Sequence, residues 1–597
     1  ITNLVKEVQE RLEGIIKDIP DLEKEKQKTI SALKHKTIKK IIEPKINKII
    51  KQWQHNKKAT EYLEQIKEEI ISNSSYFYDE DNNKKEAGNP FLALLSSSKP
   101  KNNLHVFEVN IMVEKTCEEE LNGYAPLVIL DNPSYSQLFG KIEYIPQFGT
   151  LSTNLTLIKP GAMHQANGGY LVVNARSLLE LPVLWYQLKK VIKTGSLSFG
   201  LDMSMGNNVV TLEPEPIPFI GKIILLGEPD IYNALWHFDP EFKELFKVTA
   251  EFNNEIPYNE ESALIYAGIA ASITKTEGLK PLDKFALAKL VEIGAREVSS
   301  QKQITSNLAL INDIIREANF MAVANKSSTV GVKDIEKAFN FRKERLSRIP
   351  NYIKEKIKEQ IIVIETSGVE LGQINGLSVM RINEFYFGQP QRISCTVYKG
   401  EKDIVDIERT VRLAGAIHSK GILILSAFLH GRFSKEHPLA FSATINFEQS
   451  YGMIDGDSAS AAEAIIVMAT LAGIPIKQNL AITGSIDQKG RVQAIGGVNE
   501  KIEGFFDICK SRGLTGEHGV IIPASNTSDL MLKSEVLDAI DNNKFSIYSI
   551  THVDEGLELL TGRKSGDLNK NNSYPKDSIN GIIAANWRKI AKDKKTK

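Results

Sequence analysis

At 597 residues, with 42% hydrophobic and 25% charged residues, the chain has an ordinary globular composition but is too long for one core, so three or four domains are expected. Lysine plus arginine equals aspartate plus glutamate, 74 of each, which removes the charge bias that nucleic acid or an anionic membrane surface would call for. The three cysteines (Cys117, Cys395, Cys509) are too far apart for a metal or redox motif and fit a reducing cytoplasm, and no apolar run approaches the ~20 residues that span a bilayer.

Ile1 already lies inside a helical pattern with no signal peptide, so the numbering is expected to begin partway through a longer chain. Residues 1–88 read as a charged helical arm, with apolar positions at three- and four-residue steps: Leu4, Val8, Leu12, then Ile30 and Leu33, later Ile46, Ile49 and Trp53. Pro20 and Pro44 are expected to cut it into three segments. The pattern fits a coiled-coil arm that touches substrates or an ordinary solvated bundle equally well. Residues 89–255 change to short apolar strands alternating with helices, with strands predicted over 107–113, 126–130, 170–173 and 222–226. These runs lack period-two polarity, as in a largely parallel sheet buried on both faces. Residues 256–350 predict four helices over 260–276, 283–298, 306–324 and 332–342. Residues 351–565 are mixed, with strands over 363–369, 392–397 and 404–409 and helices over 419–429 and 460–471. The basic stretch 566–597 reads as a mobile tail with one short helix at 579–590.

Two stretches of the 351–565 region carry chemistry. In Asp455-Gly456-Asp457-Ser458-Ala459-Ser460 a turn runs into a helix of small and apolar residues. Ser458 sits at that junction, near unpaired N–H groups and the positive end of a helix dipole, which suits a nucleophile whose reaction develops an oxyanion. The simpler role for Asp457 or Ser458 is an N-cap. The second stretch reads as strand, tight turn and returning strand over Thr483-Gly484-Ser485-Ile486 to Gly490-Arg491-Val492, then a Gly496-Gly497 break and a helix with Lys501 in its first turns. Together these motifs resemble the proteolytic domain of the Lon proteases, over about residues 360–562. The resemblance implies a Ser458–Lys501 dyad, with Thr483 lining the site and Asp455 close to the lysine. Lys501 serves as base only when neutral, which requires burial; an ionised Asp455 would oppose that. N–H groups near Asp457 and Ser458 would hold the oxyanion. Glu448 and His418 are nearby in sequence and are read as structural.

The segment from Gly161 to Ala175 resembles the Walker B region of Lon-type AAA+ modules, which normally ends its strand in acidic residues. Here those positions are Asn174 and Ala175, no Gly-x-x-x-x-Gly-Lys-Ser/Thr occurs, and no arginine stands between Arg176 and Arg296. The four helices of 256–350 fit an AAA+ lid, in which Arg296 is either a sensor-type arginine or a surface charge. By analogy Phe139, Tyr144 and Phe148 would line a ring pore; the alternative is aromatics buried under a loop.

The expected fold class is therefore multidomain α/β and α+β: an arm, an AAA+-like parallel-sheet module with helical lid, and a Lon-type proteolytic domain. The expected function is a Ser/Lys endopeptidase acting on unfolded protein in a homo-oligomeric, hexameric ring, without membrane or nucleic-acid partners. Peptide cleavage should need no cofactor, while ATP with magnesium remains an open ligand. Two rivals are a non-proteolytic ring-forming holdase and an α/β-hydrolase esterase. The second lacks the final glycine of Gly-x-Ser-x-Gly at Ser460.

Overall fold

The computed structural model describes residues 2–73, 107–114, 124–147, 150–199, 212–382, 385–400, 404–434, 441–570 and 573–595. The chain divides into two compact units, Ile1–Ala250 and Glu251–Lys597.

In the first unit, helix α1 (Thr2–Gln52) runs unbroken through Pro20 and Pro44, where two breaks were expected. Leu4, Leu12, Leu22 and Leu33 are all exposed along it. On so wet a helix, the carbonyl that each proline leaves without a donor is hydrated, and the helix continues. Asn56 accepts the Ala59 N–H at 3.1 Å and starts α2 (Lys57–Ser72), which turns back on the end of α1, with Lys67 Nζ 3.4 Å from Asn47 Oδ1. Three strands, β1 (Leu127–Leu130), β2 (Tyr170–Asn174) and β3 (Lys222–Leu226), form a parallel sheet in that order. Leu171 and Val173 point into a core closed by α3 (Pro182–Thr194) through Leu184 and Leu188. Among the described residues, the opposite face leaves Leu127, Ile129, Tyr170, Ile224 and Leu226 exposed, where burial on both faces was expected. The strand expected over 107–113 is absent; the described residues 107–114 are irregular.

The second unit opens with the four predicted helices, α4 (Glu260–Thr276), α5 (Lys284–Glu297), α6 (Leu308–Ala324) and α7 (Val332–Leu346). Side chains of Asn259, Asp283 and Asn307 accept N–H groups at the first three starts. Tyr266, Leu290, Ile311, Ile315 and Ile335 build a core between these helices, which Ile304 and Val330 complete.

The rest of this unit is a seven-stranded mixed sheet. Its strands are β4 (Gln373–Ile382), β5 (Phe385–Lys399), β6 (Ile404–Asp406), β7 (Phe441–Phe447), β8 (Leu480–Ile482), β9 (Gly519–Pro523) and β10 (Ser546–Ile550), in the order β6-β7-β5-β4-β8-β9-β10. The strand expected over 404–409 stops at Asp406 and becomes a one-turn helix, and that over 363–369 is reduced to Val369–Glu370. Helices α8 (Ala416–Phe433), α9 (Ser460–Ala472), α10 (Val498–Arg512) and α11 (Ile579–Lys595) follow. α9 is apolar all round and buried along nearly its whole length, which makes it the centre of the core. The helix expected at 579–590 is present as α11, but it is docked rather than mobile: Ile579, Ile583 and Trp587 enter that core, and Asn586 Nδ2 donates to Leu471 O at 2.9 Å. α10 lies on β5 backbone to backbone: a Cβ on Gly504 would stand 2.1 Å from Gly388 O, and one on Gly388 would stand 2.0 Å from Glu500 O.

Candidate active site

Ser458 stands two residues ahead of α9, in a turn pinned from both sides. Gly484 N donates to Ser458 O at 2.8 Å, Ala461 N to Gly484 O at 3.0 Å, and Ile486 N to Ser460 Oγ at 3.0 Å. Neither Asp457 nor Ser458 caps the helix: the cap residue is Ala459, and Asp457 Oδ2 instead accepts from Ser485 Oγ at 2.8 Å. The Ser458 hydroxyl is thereby free to meet another group. That group comes from α10. Its cap, Gly497, adopts φ +67°, and a Cβ there would lie 2.9 Å from Val379 Cγ2. The helix so begun places Lys501 Nζ 2.9 Å from Ser458 Oγ and 3.2 Å from Thr483 Oγ1. Thr483 Oγ1 in turn donates to Ser458 O at 3.2 Å.

Lys501 is 2% exposed, and burial lowers its pKa to about 8, against the opposing pull of Asp457 and Glu500. Asp455 was expected beside the lysine and is engaged elsewhere. Its Oδ1 accepts N–H bonds from Gly456 at 2.9 Å, Ile417 at 3.0 Å and His418 at 3.2 Å, so it caps α8. These N–H groups hold its carboxyl below the usual range. The tension foreseen between a charged Asp455 and a neutral lysine therefore does not arise. Ser458, Lys501, Asp455 and Asp457 line one cleft of about 560 Å³ with Tyr386 and Phe447. Asn526 and Asp529 complete a wall that sequence reading missed, because they belong to a distant loop with no motif of its own.

Among the described residues, no other sequence-derived candidate lines this cleft. Asn174 ends β2 and caps the next helix, its Oδ1 accepting Ser177 N at 3.1 Å, while Ala175 is buried. Phe139 is not a pore aromatic: it is 2% exposed, packed in the core with its ring 5.1 Å from that of Tyr135. Tyr144 is half-buried, and Phe148 lies outside the described residues. Arg296 is committed within its own chain, Nη2 to Glu503 Oε1 at 2.6 Å and Nη1 to Met531 O at 2.8 Å. Glu448 accepts from Ser394 Oγ at 2.5 Å, a structural contact.

Three stretches of the chain match models of known families. Residues 123–253 match the family described as LonB-like, AAA domain; residues 281–345 match the archaeal LonB AAA+ ATPase lid domain; residues 446–562 match the Lon protease (S16) C-terminal proteolytic domain. A putative Lon protease homolog of Escherichia coli is 35% identical over 438 residues, covering 73% of this chain and 72% of that protein. The chain belongs to the Lon protease family. A putative Lon protease homolog of Haemophilus influenzae is likewise 35% identical, across 75% of this chain and 73% of its own length. The archaeal Lon protease of Archaeoglobus fulgidus is 26% identical, across 72% and 67%. In this Lon-family chain the serine–lysine pair falls inside the matched serine protease domain, and among the described residues no helix is long and apolar enough to cross a membrane.

Proposed function

We propose that this chain is a serine endopeptidase in which Ser458 is the nucleophile and Lys501 the general base. One observation carries the reading: a lysine amine 2.9 Å from a serine hydroxyl, in surroundings that strip the amine of water. Neutral Lys501 takes the Ser458 proton as Oγ attacks the peptide carbonyl carbon. N–H groups at the α9 start receive the resulting oxyanion. The tetrahedral adduct then collapses, the C–N bond breaks, and the Lys501 ammonium returns its proton to the departing amine. Water, deprotonated by the same amine, releases the acyl group. Thr483 keeps the amine aimed, and Asp457, tied to Ser485, is the nearest carboxylate opposing its neutralisation.

The substrates are unfolded or loosely folded polypeptides, and the working form is a homo-oligomeric chamber, hexameric by family resemblance, in the cytoplasm. Cleavage proceeds without ATP hydrolysis, because the strand end that would hold magnesium offers a capping amide and a methyl group. The deciding experiment is cleavage of casein and a fluorogenic peptide by wild type, Ser458→Ala and Lys501→Ala, each with and without ATP. Wild type should cleave both without ATP and the variants neither. Wild-type rates from Lys501→Ala would reject the base, and strict ATP dependence would reject the ATP-free reading.

A further inference from the structure

Behind the nucleophile segment lies a second set of ionisable groups that the chemistry above does not use. Asp406 ends β6, Glu408 sits in the one-turn helix after it, His418 is in the first turn of α8, and Glu463 is in the first turn of α9. Their side chains are shut from water: 0% exposed for Asp406, 2% for His418 and 1% for Glu463. His418 Nε2 lies 3.2 Å from Asp406 Oδ2, and His418 Nδ1 lies 3.9 Å from Glu463 Oε1. Glu408 Oε1 accepts the Phe447 N–H at 2.8 Å, and Asp406 Oδ1 the Glu408 N–H at 3.2 Å. Asp406 Oδ2, Glu408 Oε2, His418 Nε2 and Glu463 Oε1 are buried without an aligned hydrogen-bond partner. Among the described residues, no group of such side chains converges as metal ligands would.

The cluster touches the active site through three routes. Asp455, three residues before the nucleophile, accepts the His418 N–H. The His418 ring meets Phe447, a wall of the cleft, edge-on at 5.5 Å. A Cβ on Gly421 of α8 would stand 3.4 Å from Asp457 Cβ and 3.8 Å from Ser460 Cβ, so α8 is seated directly against the turn that carries Ser458.

We propose that His418, Asp406, Glu408 and Glu463 form a proton-holding brace that positions the Ser458 turn, and that loss of its protons loosens that turn. The proposal rests on the Ser458 reading. One imidazolium cannot balance three carboxylates in a dry interior, so the acids must keep protons. Burial, helped by Asp406, pushes Glu408 up to about 7, and burial does the same to Glu463, also to about 7. Burial would lower His418, but Asp406, Glu463 and Glu408 outweigh it and raise the imidazole; the imidazole 3.2 Å away holds Asp406 low despite its burial. Asp455 faces the same imidazole from the Ser458 side. All three raised groups act in one direction: the stability they supply is present in acid and is lost as pH rises through about 7 for the two glutamates. Lys501 gains activity over a similar range, reaching its neutral form above about 8. Base and brace therefore oppose each other, and cleavage should peak in between.

Glu463→Gln tests this, because the amide imitates a carboxyl that never loses its proton. Thermal unfolding and kcat/KM for a fluorogenic peptide are measured on the full chain between pH 6 and pH 9.5. The variant should match wild-type kcat/KM at pH 6 and show roughly tenfold higher kcat/KM at pH 9, while melting at higher temperature already at pH 6, because the unfolded glutamate ionises from its ordinary 4.5, and keeping that advantage to pH 9. His418→Gln should lose kcat at pH 7 with KM unchanged. Identical pH dependence of melting and cleavage in wild type and Glu463→Gln would overturn the proposal, as would a Glu463→Gln chain that does not fold or a His418→Gln chain with wild-type kcat. The melting readout requires no catalysis. Failure of the serine–lysine reading, seen as cleavage by Lys501→Ala, is therefore told apart from failure of the brace, seen as unchanged pH dependence of melting in Glu463→Gln.

Discussion

A lysine held neutral is a liability to the folded state. The unfolded chain charges Lys501 freely, while the native site resists until pH falls through about 8, so the group destabilises the protein throughout the neutral range. Lys501→Met should therefore abolish cleavage and stabilise the fold, by up to about 3 kcal/mol near pH 7. The check is denaturant unfolding of both proteins, with the gap closing as pH approaches that of an ordinary lysine. In wild type, kcat/KM should rise towards about pH 8 as the amine loses its proton and turn down beyond it as the brace loses its own; in Glu463→Gln the rise should carry on through pH 8. Sequence reading found Ser458, Lys501 and Thr483 because the glycines and small residues around them form a dense local pattern. It put Asp455 in the wrong company because the partners of that carboxylate are main-chain N–H groups of Ile417 and His418, and a main chain leaves no trace in residue identity.

At the scale of elements, the helices of 260–346 are joined to the proteolytic domain by a compact set of charges. Arg296 reaches Glu503 on α10, two residues beyond Lys501, with side-chain exposures of 14% and 7%. Lys533 meets the same carboxylate at 3.3 Å, and Gln301 donates to Leu530 O at 2.9 Å. Lys533 still pairs the carboxylate when the arginine is lost, so Arg296→Ala should cost about 1.5–3 kcal/mol, the worth of its charged hydrogen bonds. It should also split one calorimetric transition into two, with the lid helices becoming protease-sensitive first. These four helices were legible almost to the residue because each carries a strong apolar period and three start on Asn or Asp. α1 was misread because propensity argues against proline, whereas an exposed helix lets water replace the lost bond. α11 was legible as a helix but not as a docked one, because its apolar residues, Ile579, Ile583 and Trp587, are diluted by charge, and only their packing against α9 gives them meaning.

Across the whole molecule, the two compact units differ in how complete they look. The unit Glu251–Lys597 closes its own cores, while the parallel sheet of Ile1–Ala250 leaves Leu127, Ile129 and Leu226 in water. The alternation of strand and helix announced the sheet but not the exposure of Leu127, Ile129 and Leu226 on one face, since those strands are apolar on both faces, as for a fully covered sheet. Peptidase activity, housed in the second unit, should not depend on nucleotide. Sedimentation of the full chain should give one assembly of several copies, and a monomeric peak with full casein cleavage would reject the chamber.

The contact between Gly388 and Gly504 sets how far the amine reaches. Most enzymes place a reacting atom through side chains that can give a little. Here a helix rests main chain on main chain, so the spacing has no slack to take up. A single added methyl group would act as a shim, lifting the helix off its bed and parting amine from hydroxyl in a protein otherwise whole. Disabling mutations in this lineage need never touch the residues that do the cutting.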